Sequence, residues 1–313
     1  LEPADSALDS DHTLYYKVLM TIEPAPSLPP SPSRLGQSSA FWNDFFFRSE
    51  SDALVFDARD VAGVTSAEIA LLGASIAEFQ LGESSEGRHL IRSARRFAEQ
   101  SGDPAFALAM ERFIREEQRH AKYLGHFLGL AGHPLTRRTW PDTVFRALRH
   151  FGNLEVSIAV LVTAEILAKV YYPALEEATH SRLLVRICRR IEVDEAYHVE
   201  FQAETLATLR ENRGPIGLAI TALAHRFLFA GTLLVVWWKH APVFRAARWK
   251  FLRYAKDAWG HLEEALVWMN PRTYRPPAPK RAGAGIPPLR AGYTRAFSAD
   301  SNPVCSRGIP ERR

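Results

Sequence analysis

The sequence predicts an all-α protein built on a four-helix bundle with a long crossover connection and additional C-terminal helices. Two observations predict it. From Thr65 onward apolar residues recur at three- and four-residue spacing, the period of a helix face, with no sustained alternation of the kind a strand requires. Four long segments carry this period, and the gap between the second and third is far longer than the other two, which suits a bundle with one crossover. At 313 residues, 47% hydrophobic and 24% charged, the chain can bury a sizeable core.

Residues 1–40 read as a disordered leader. A Pro/Ser cluster runs from Pro24 to Ser33, and no basic stretch is followed by an apolar run as in a signal peptide. Residues 41–65 form a lead-in to the bundle, which occupies 66–213. Its first helix is expected from Ser66 to Gln100. Gly102 supplies a left-handed stop, and Asp103-Pro104 supplies an N-cap and first-turn proline for the second helix, which reaches Leu130. Gly132, Pro134, Trp140 and Pro141 mark the long connection, with a short helical piece before Gly152. The third helix ends near Ala178-Thr179, with Pro173 expected to kink it. The fourth begins near Ser181 and ends at Arg213-Gly214-Pro215.

Residues 214–270 read as accessory helices on the bundle, one of them the apolar segment 216–238. His225 and Arg226 interrupt that segment and leave Phe227–Trp238, too short for a bilayer core of about 30 Å. No transmembrane span is therefore expected, while a peripheral membrane contact stays open. Residues 271–313 read as a basic, disordered tail. They hold nine Lys or Arg against two acids, and the net charge of +4 for the whole chain leaves −3 for the first 270 residues. The basicity belongs to the tail, so a nucleic-acid partner is not indicated. Two cysteines, Cys188 and Cys305, make no disulfide framework or zinc pairing and fit a reducing, cytoplasmic setting. Cys188 reads as a small core residue.

Polar groups intrude into the apolar seams at one level only. The second helix runs Phe106, Met110, Phe113, Glu117, His120, Leu124, Phe127, and the fourth runs Leu184, Cys188, Ile191, Glu195, His198, Gln202, Thr205. Each holds one Glu-x-x-His, a spacing that puts both ligands on one helix face. The first and third helices each add a lone glutamate, Glu83 and Glu165. Glu86 also fits the first seam and competes with Glu83, but the halves repeat one another. Positions 83, 117 and 120 become 165, 195 and 198, which favours Glu83. Glu165 and Glu195 are equidistant from His180, so antiparallel helices rising 1.5 Å per residue bring them to one height. Four carboxylates buried together would repel and protonate unless cations neutralised them, and neutral imidazoles complete the coordination. An acid precedes each Glu-x-x-His, Glu116 and Asp194. These are candidates to accept the second ring proton of a metal-bound histidine, a surface ion pair being the alternative.

One glutamate from each of two helices plus two Glu-x-x-His motifs resembles the ligand set of the ferritin-like superfamily of di-iron carboxylate proteins. The resemblance covers about residues 66–213. It implies a ferritin-like bundle holding two Fe ions, with Mn as the other oxygen- and nitrogen-loving candidate. The predicted ligands are Glu83, Glu117, His120, Glu165, Glu195 and His198. In similar enzymes an acid at the Asp194 position orients a ligand histidine. The implied activity is that of an oxygenase or related oxidoreductase: O2 and an external electron donor are used to hydroxylate, desaturate or otherwise oxidise a small apolar or aromatic substrate, in a chain expected to form a homo-oligomer. The alternatives are a ferroxidase or peroxide-detoxifying protein, and a non-catalytic metal-stapled interaction protein. Phe79, Phe113, Ile158, Leu161 and Ile191 form the expected apolar surroundings. Tyr123, Tyr171, Tyr172 and Tyr197 lie within two turns of a ligand and read first as packing or hydrogen-bonding residues, with electron relay the alternative. Gly73, Gly82, Ser84, Ser85 and Gly87 thin the first helix around Glu83, for either a substrate channel or close helix packing.

Overall fold

A computed structural model describes residues 39–56, 64–84 and 87–274. Among these residues every regular element is a helix. Most of the expected leader and tail lies outside the described residues, as does Glu86. Helix α1 (Ser39–Ser49) precedes the bundle and passes into a 3-10 turn, Glu50–Asp52. It starts two residues inside the segment read as leader and was not foreseen as a helix. Trp42 and Phe46 anchor it, both almost completely buried. They pack on Phe201, and Phe46 also lies tilted against Phe113 and the His198 ring.

The first bundle helix is not continuous from Ser66 to Gln100. It is two helices, α2 (Ser66–Glu83) and α3 (Arg88–Ser101). Thr65 caps α2, its hydroxyl accepting from the Glu68 N–H at 3.2 Å. At the other end the Ser84 hydroxyl turns back onto the Leu81 carbonyl at 2.7 Å, and Gly87 adopts φ +61°. Gly82, Ser84 and Gly87 supply the reason for the break. Glycine loses the most backbone entropy in a helix, and serine competes for backbone hydrogen bonds. The small residues serve different ends. A Cβ at Gly73 or Gly87 would lie 2.4 Å from His133 or 2.6 Å from Ile114, so these two permit close packing. A Cβ at Gly82 would meet nothing within 4 Å.

The remaining elements follow the sequence closely. Gly102 (φ +69°) ends α3, and Pro104 opens α4 (Pro104–Leu130). The short helical piece is α5 (Trp140–Phe151), capped by Thr139. Helix α6 (Leu154–Ala178), capped by Asn153, continues through Pro173. The Ser181 hydroxyl caps α7 (Arg182–Leu209) by accepting from the Leu184 N–H. The accessory region holds α8 (Pro215–Lys239), α9 (Ala241–Ala246) and α10 (Phe251–Trp268). The most extensive pairing is α6 with α7, α4 is flanked by α1, α2, α3 and α7, and α10 covers α6, α7 and α8. Glu68 fastens the α6–α7 turn to α2 by accepting from the Thr179 hydroxyl and the His180 N–H.

His225 and Arg226 do not interrupt α8. His225 Nε2 meets Thr163 Oγ1 at 2.9 Å, and Arg226 makes a two-pronged contact with Glu263. The helix is therefore long and apolar enough to cross a bilayer by length and composition, which corrects the count that began at Phe227. One of its faces nevertheless belongs to the fold, with Leu218, Phe229 and Leu233 buried.

Replacing Gly87 with Ala forces a side chain into a left-handed backbone and against Ile114, and should cost about 1–3 kcal/mol of stability. A lower urea midpoint at unchanged slope checks this.

Candidate metal centre

The site lies where α4 and α7 face each other. Each helix presents its Glu-x-x-His inward, so that one ligand atom each from Glu117, His120, Glu195 and His198 lies within 4.8 Å of the other three. The two histidines, whose ring centroids are 5.4 Å apart, present Nδ1 to the shared centre. His120 Nδ1 is 3.4 Å from Glu195 Oε1 and 3.8 Å from Glu117 Oε1. His198 Nδ1 is 2.8 Å from Glu117 Oε1 and 3.5 Å from Glu195 Oε2. All are buried except Glu117, which is half-buried.

The outward ring nitrogens are held by the acids that precede the motifs, and the pairing crosses between helices. His120 Nε2 meets Asp194 of α7 at 3.1 Å, and His198 Nε2 meets Glu116 of α4 at 3.1 Å. Each carboxylate is backed by an arginine, Asp194 by Arg190 at 2.9 Å and Glu116 by Arg119. Ser49 of α1 joins the two halves, donating to Glu116 and accepting from Arg190 and Arg119. No sequence signal marks Ser49, Arg119 or Arg190, because nothing in a periodic pattern shows that a lead-in segment returns to the site. Burial alone would raise the Glu116 carboxyl, but the His198 and Ser49 hydrogen bonds and the nearby positive charges outweigh it and hold it at about 2. Glu116 thus stays ionised and acts as a hydrogen-bond acceptor for His198.

Glu83 and Glu165 stand outside the four-residue cluster but border it. Both are buried. The Tyr172 hydroxyl donates to Glu83 at 2.8 Å, and the Gln202 amide donates to Glu165 at 2.9 Å. Burial, then the charge of Glu117, pushes the Glu83 carboxyl well above its ordinary range. Burial and the charge of Glu165 raise Glu117 and, more strongly, Glu195. The imidazole of His198 moves the same way, burial being outweighed by the charge of Glu117 and the Glu116 hydrogen bond. The shifts share one origin, a concentration of negative charge in a dry layer that calls for a positive one.

Whether a metal fits can be judged from atoms left without partners. Glu117 Oε1, both carboxylate oxygens of Glu195, and Nδ1 of both histidines are buried and, though they approach one another as closely as 2.8 Å, make no well-aligned hydrogen bond. Buried polar atoms in folded proteins are almost always paired. Here the unpaired ones are oxygens and imidazole nitrogens aimed at one place, a donor set that suits a first-row divalent cation. The cluster can hold a metal ion, and each histidine already carries the outer hydrogen bond that fixes a ligand ring.

A cavity of about 160 Å³ reaches the cluster from the carboxylate side. Glu83, Glu117 and Glu165 close its inner end, and Phe79, Val160, Leu161 and Ala168 line it. Gly82 lies in its wall, and α5 and α8 supply Phe145 and Val236. Of the expected apolar residues, Phe79 and Leu161 face this space, Phe113 packs edge-on to His198 at 4.8 Å, and Ile158 and Ile191 are core. Among the tyrosines, Tyr172 touches a predicted ligand. Tyr171 pairs with Ser75, Tyr123 accepts from the Leu54 N–H, and Tyr197 packs on Phe45. Cys188 is fully buried. Comparison with protein families, curated proteins and solved structures finds no match for the chain.

Glu117→Ala should abolish tight metal binding measured by calorimetry with Fe(II) or Mn(II), whereas Asp194→Asn should weaken it about 10–100-fold. Because burial and the neighbouring carboxylates raise Glu83, Glu117 and Glu195, a binding cation must displace protons from them. Metal affinity should therefore fall as the pH is lowered, with measurable proton release on binding.

Proposed function

We propose that the protein is a di-iron oxidoreductase that couples O2 and electrons from an external donor to oxidation of an apolar or aromatic organic substrate. The observation that carries this reading is the meeting of two features. Five unpartnered ligand atoms converge at the centre of the bundle, and an apolar cavity ends on three of the neighbouring carboxylates. A metal that served only as a staple would need no such access.

Charge balance supports a pair of ions. Glu83, Glu117, Glu165 and Glu195 carry four negative charges when ionised, which two divalent cations neutralise. Glu116 and Asp194 are matched by Arg119 and Arg190, so the surrounding layer needs no further cation. The six predicted ligands would offer one histidine for each of two ions, and four glutamates to complete the donor set. The ligand pattern also resembles that of di-iron carboxylate proteins, which favours Fe over Mn.

When bound, two Fe(II) ions supply the redox chemistry by which O2 is reduced. The chain's own residues prepare the surroundings. With a cation in place, Glu116 and Asp194 would hold the two imidazoles in one tautomer, with the proton on Nε2 and the lone pair on Nδ1 facing inward. Tyr172 keeps its proton at Oη, since burial and then the charge of Glu83 push its pKa up, and it orients Glu83. Gln202 does the same for Glu165. Phe79, Val160, Leu161 and Ala168 exclude water and offer dispersion contacts but no hydrogen bonds, which selects an apolar substrate.

Mixing anaerobic, Fe(II)-loaded protein with O2 in a stopped-flow spectrophotometer should give a transient visible absorbance at two Fe per chain. An iron mineral growing beyond two ions per chain would establish a storage role instead. Absence of any reaction with O2 would leave a metal-stapled protein.

A further inference from the structure

The outward face of α8 is apolar along its whole length. Ile216, Ile220, Leu223, Phe227, Leu234 and Trp238 form one stripe at three-, four- and seven-residue steps, each more than half exposed and Phe227 72% exposed. No charged residue of α8 reaches the exposed class. Such a stripe on a 25-residue helix exceeds what a soluble surface ordinarily leaves uncovered.

Charge decides what covers it. From Pro215 to Lys256 the chain holds seven Lys or Arg and not one Asp or Glu. Arg245, Arg248 and Lys250, all exposed, follow directly on the end of α8 at which Trp238 lies. Next comes Leu252, 79% exposed. A second copy seated on this face by a two-fold axis would set the patch against itself, and the patch holds no acid to meet the basic end. An anionic bilayer offers acyl chains to the stripe and negative headgroups to the basic end, with tryptophan at the boundary, as in helices that lie in the membrane interface. The buried face of α8, with Thr163–His225 and Arg226–Glu263 fastened to the fold, fits a helix lying on the surface better than one crossing it.

The same helix walls the cavity through Thr232 and Val236. The opposite contributor, α5, lines it with Pro141 and Phe145 and turns Trp140 and Val144 outward. We infer that the α8 face docks on an anionic membrane surface and that the cavity takes an acyl-chain substrate from the lipid phase. The second half rests on the proposed oxidoreductase, and the first does not.

The test uses the full chain and vesicles of phosphatidylcholine with and without phosphatidylglycerol. The protein should cosediment with anionic vesicles and much less with neutral ones, and added salt should weaken binding. The double variant Phe227→Glu/Leu234→Glu, both positions being exposed, should keep the fold by circular dichroism and bind about tenfold more weakly or less. Metal-free protein should bind vesicles as well as loaded protein, so docking is judged apart from the metal. No anionic binding, equal binding by the variant, or a solution dimer that the variant splits would overturn the docking. For the substrate half, the probe is oleate, followed by displacement of a fluorescent fatty acid from the full chain. Gly82→Leu, which fills the cavity wall, should abolish oleate binding while leaving vesicle binding intact. Oleate that does not bind, or binds Gly82→Leu equally, would overturn the acyl-chain assignment. If oleate binds while the Fe(II) protein is inert to O2, membrane docking and acyl-chain binding stand, while the oxidoreductase and the substrate role of the acyl chain fall.

Discussion

The crossed hydrogen bonds from His120 to Asp194 and from His198 to Glu116 tie α4 to α7 at the level where the bundle is most polar. Around that pair of contacts the molecule concentrates charge that an interior ordinarily rejects. The arrangement is layered by sign. The inner carboxylates and ring nitrogens are left open to a cation, while the outer carboxylates are closed off by arginines and by the Ser49 hydroxyl. Only the inner layer is therefore available to respond to a metal. The charges of the outer layer are already matched by arginine.

This layering explains the placing of α1. Trp42 and Phe46 fill the space beside His198 and Phe201, and Ser49 finishes the arginine network. A segment that precedes the bundle thus supplies both apolar cover and a polar keystone. Removing the two aromatics would expose the His198 side of the centre and cost about 3–5 kcal/mol for each large side chain truncated.

Much of the architecture is legible in the sequence because the signals are local or periodic. Gly102-Asp103-Pro104 dictates the α3–α4 turn, and Ser181 announces a helix start through a side-chain oxygen that can be read singly. The two Glu-x-x-His motifs are visible because each breaks an apolar seam once. Less was legible where geometry depends on chain return. The crossing of acid to opposite histidine follows from interhelical packing, which no one-helix pattern encodes. The break after Glu83 leaves no single mark in the sequence, because Gly82, Ser84 and Gly87 are individually tolerable in a helix and act together. Conversely, the charged pair His225-Arg226 looked like an interruption and is none, since Thr163 and Glu263 satisfy it from neighbouring helices.

The break after Glu83 makes the carboxylates of the site mechanically unequal. Glu117, Glu165 and Glu195 stand mid-helix, where displacing one drags a turn of hydrogen-bonded backbone with it. Glu83 is the last residue of α2, beside the unpaired carbonyls whose partial negative charge a cation welcomes and a carboxylate does not. The Tyr172 hydroxyl of α6 holds its carboxylate at 2.8 Å, so the position of this ligand candidate is set from a neighbouring helix as well as from the end of its own.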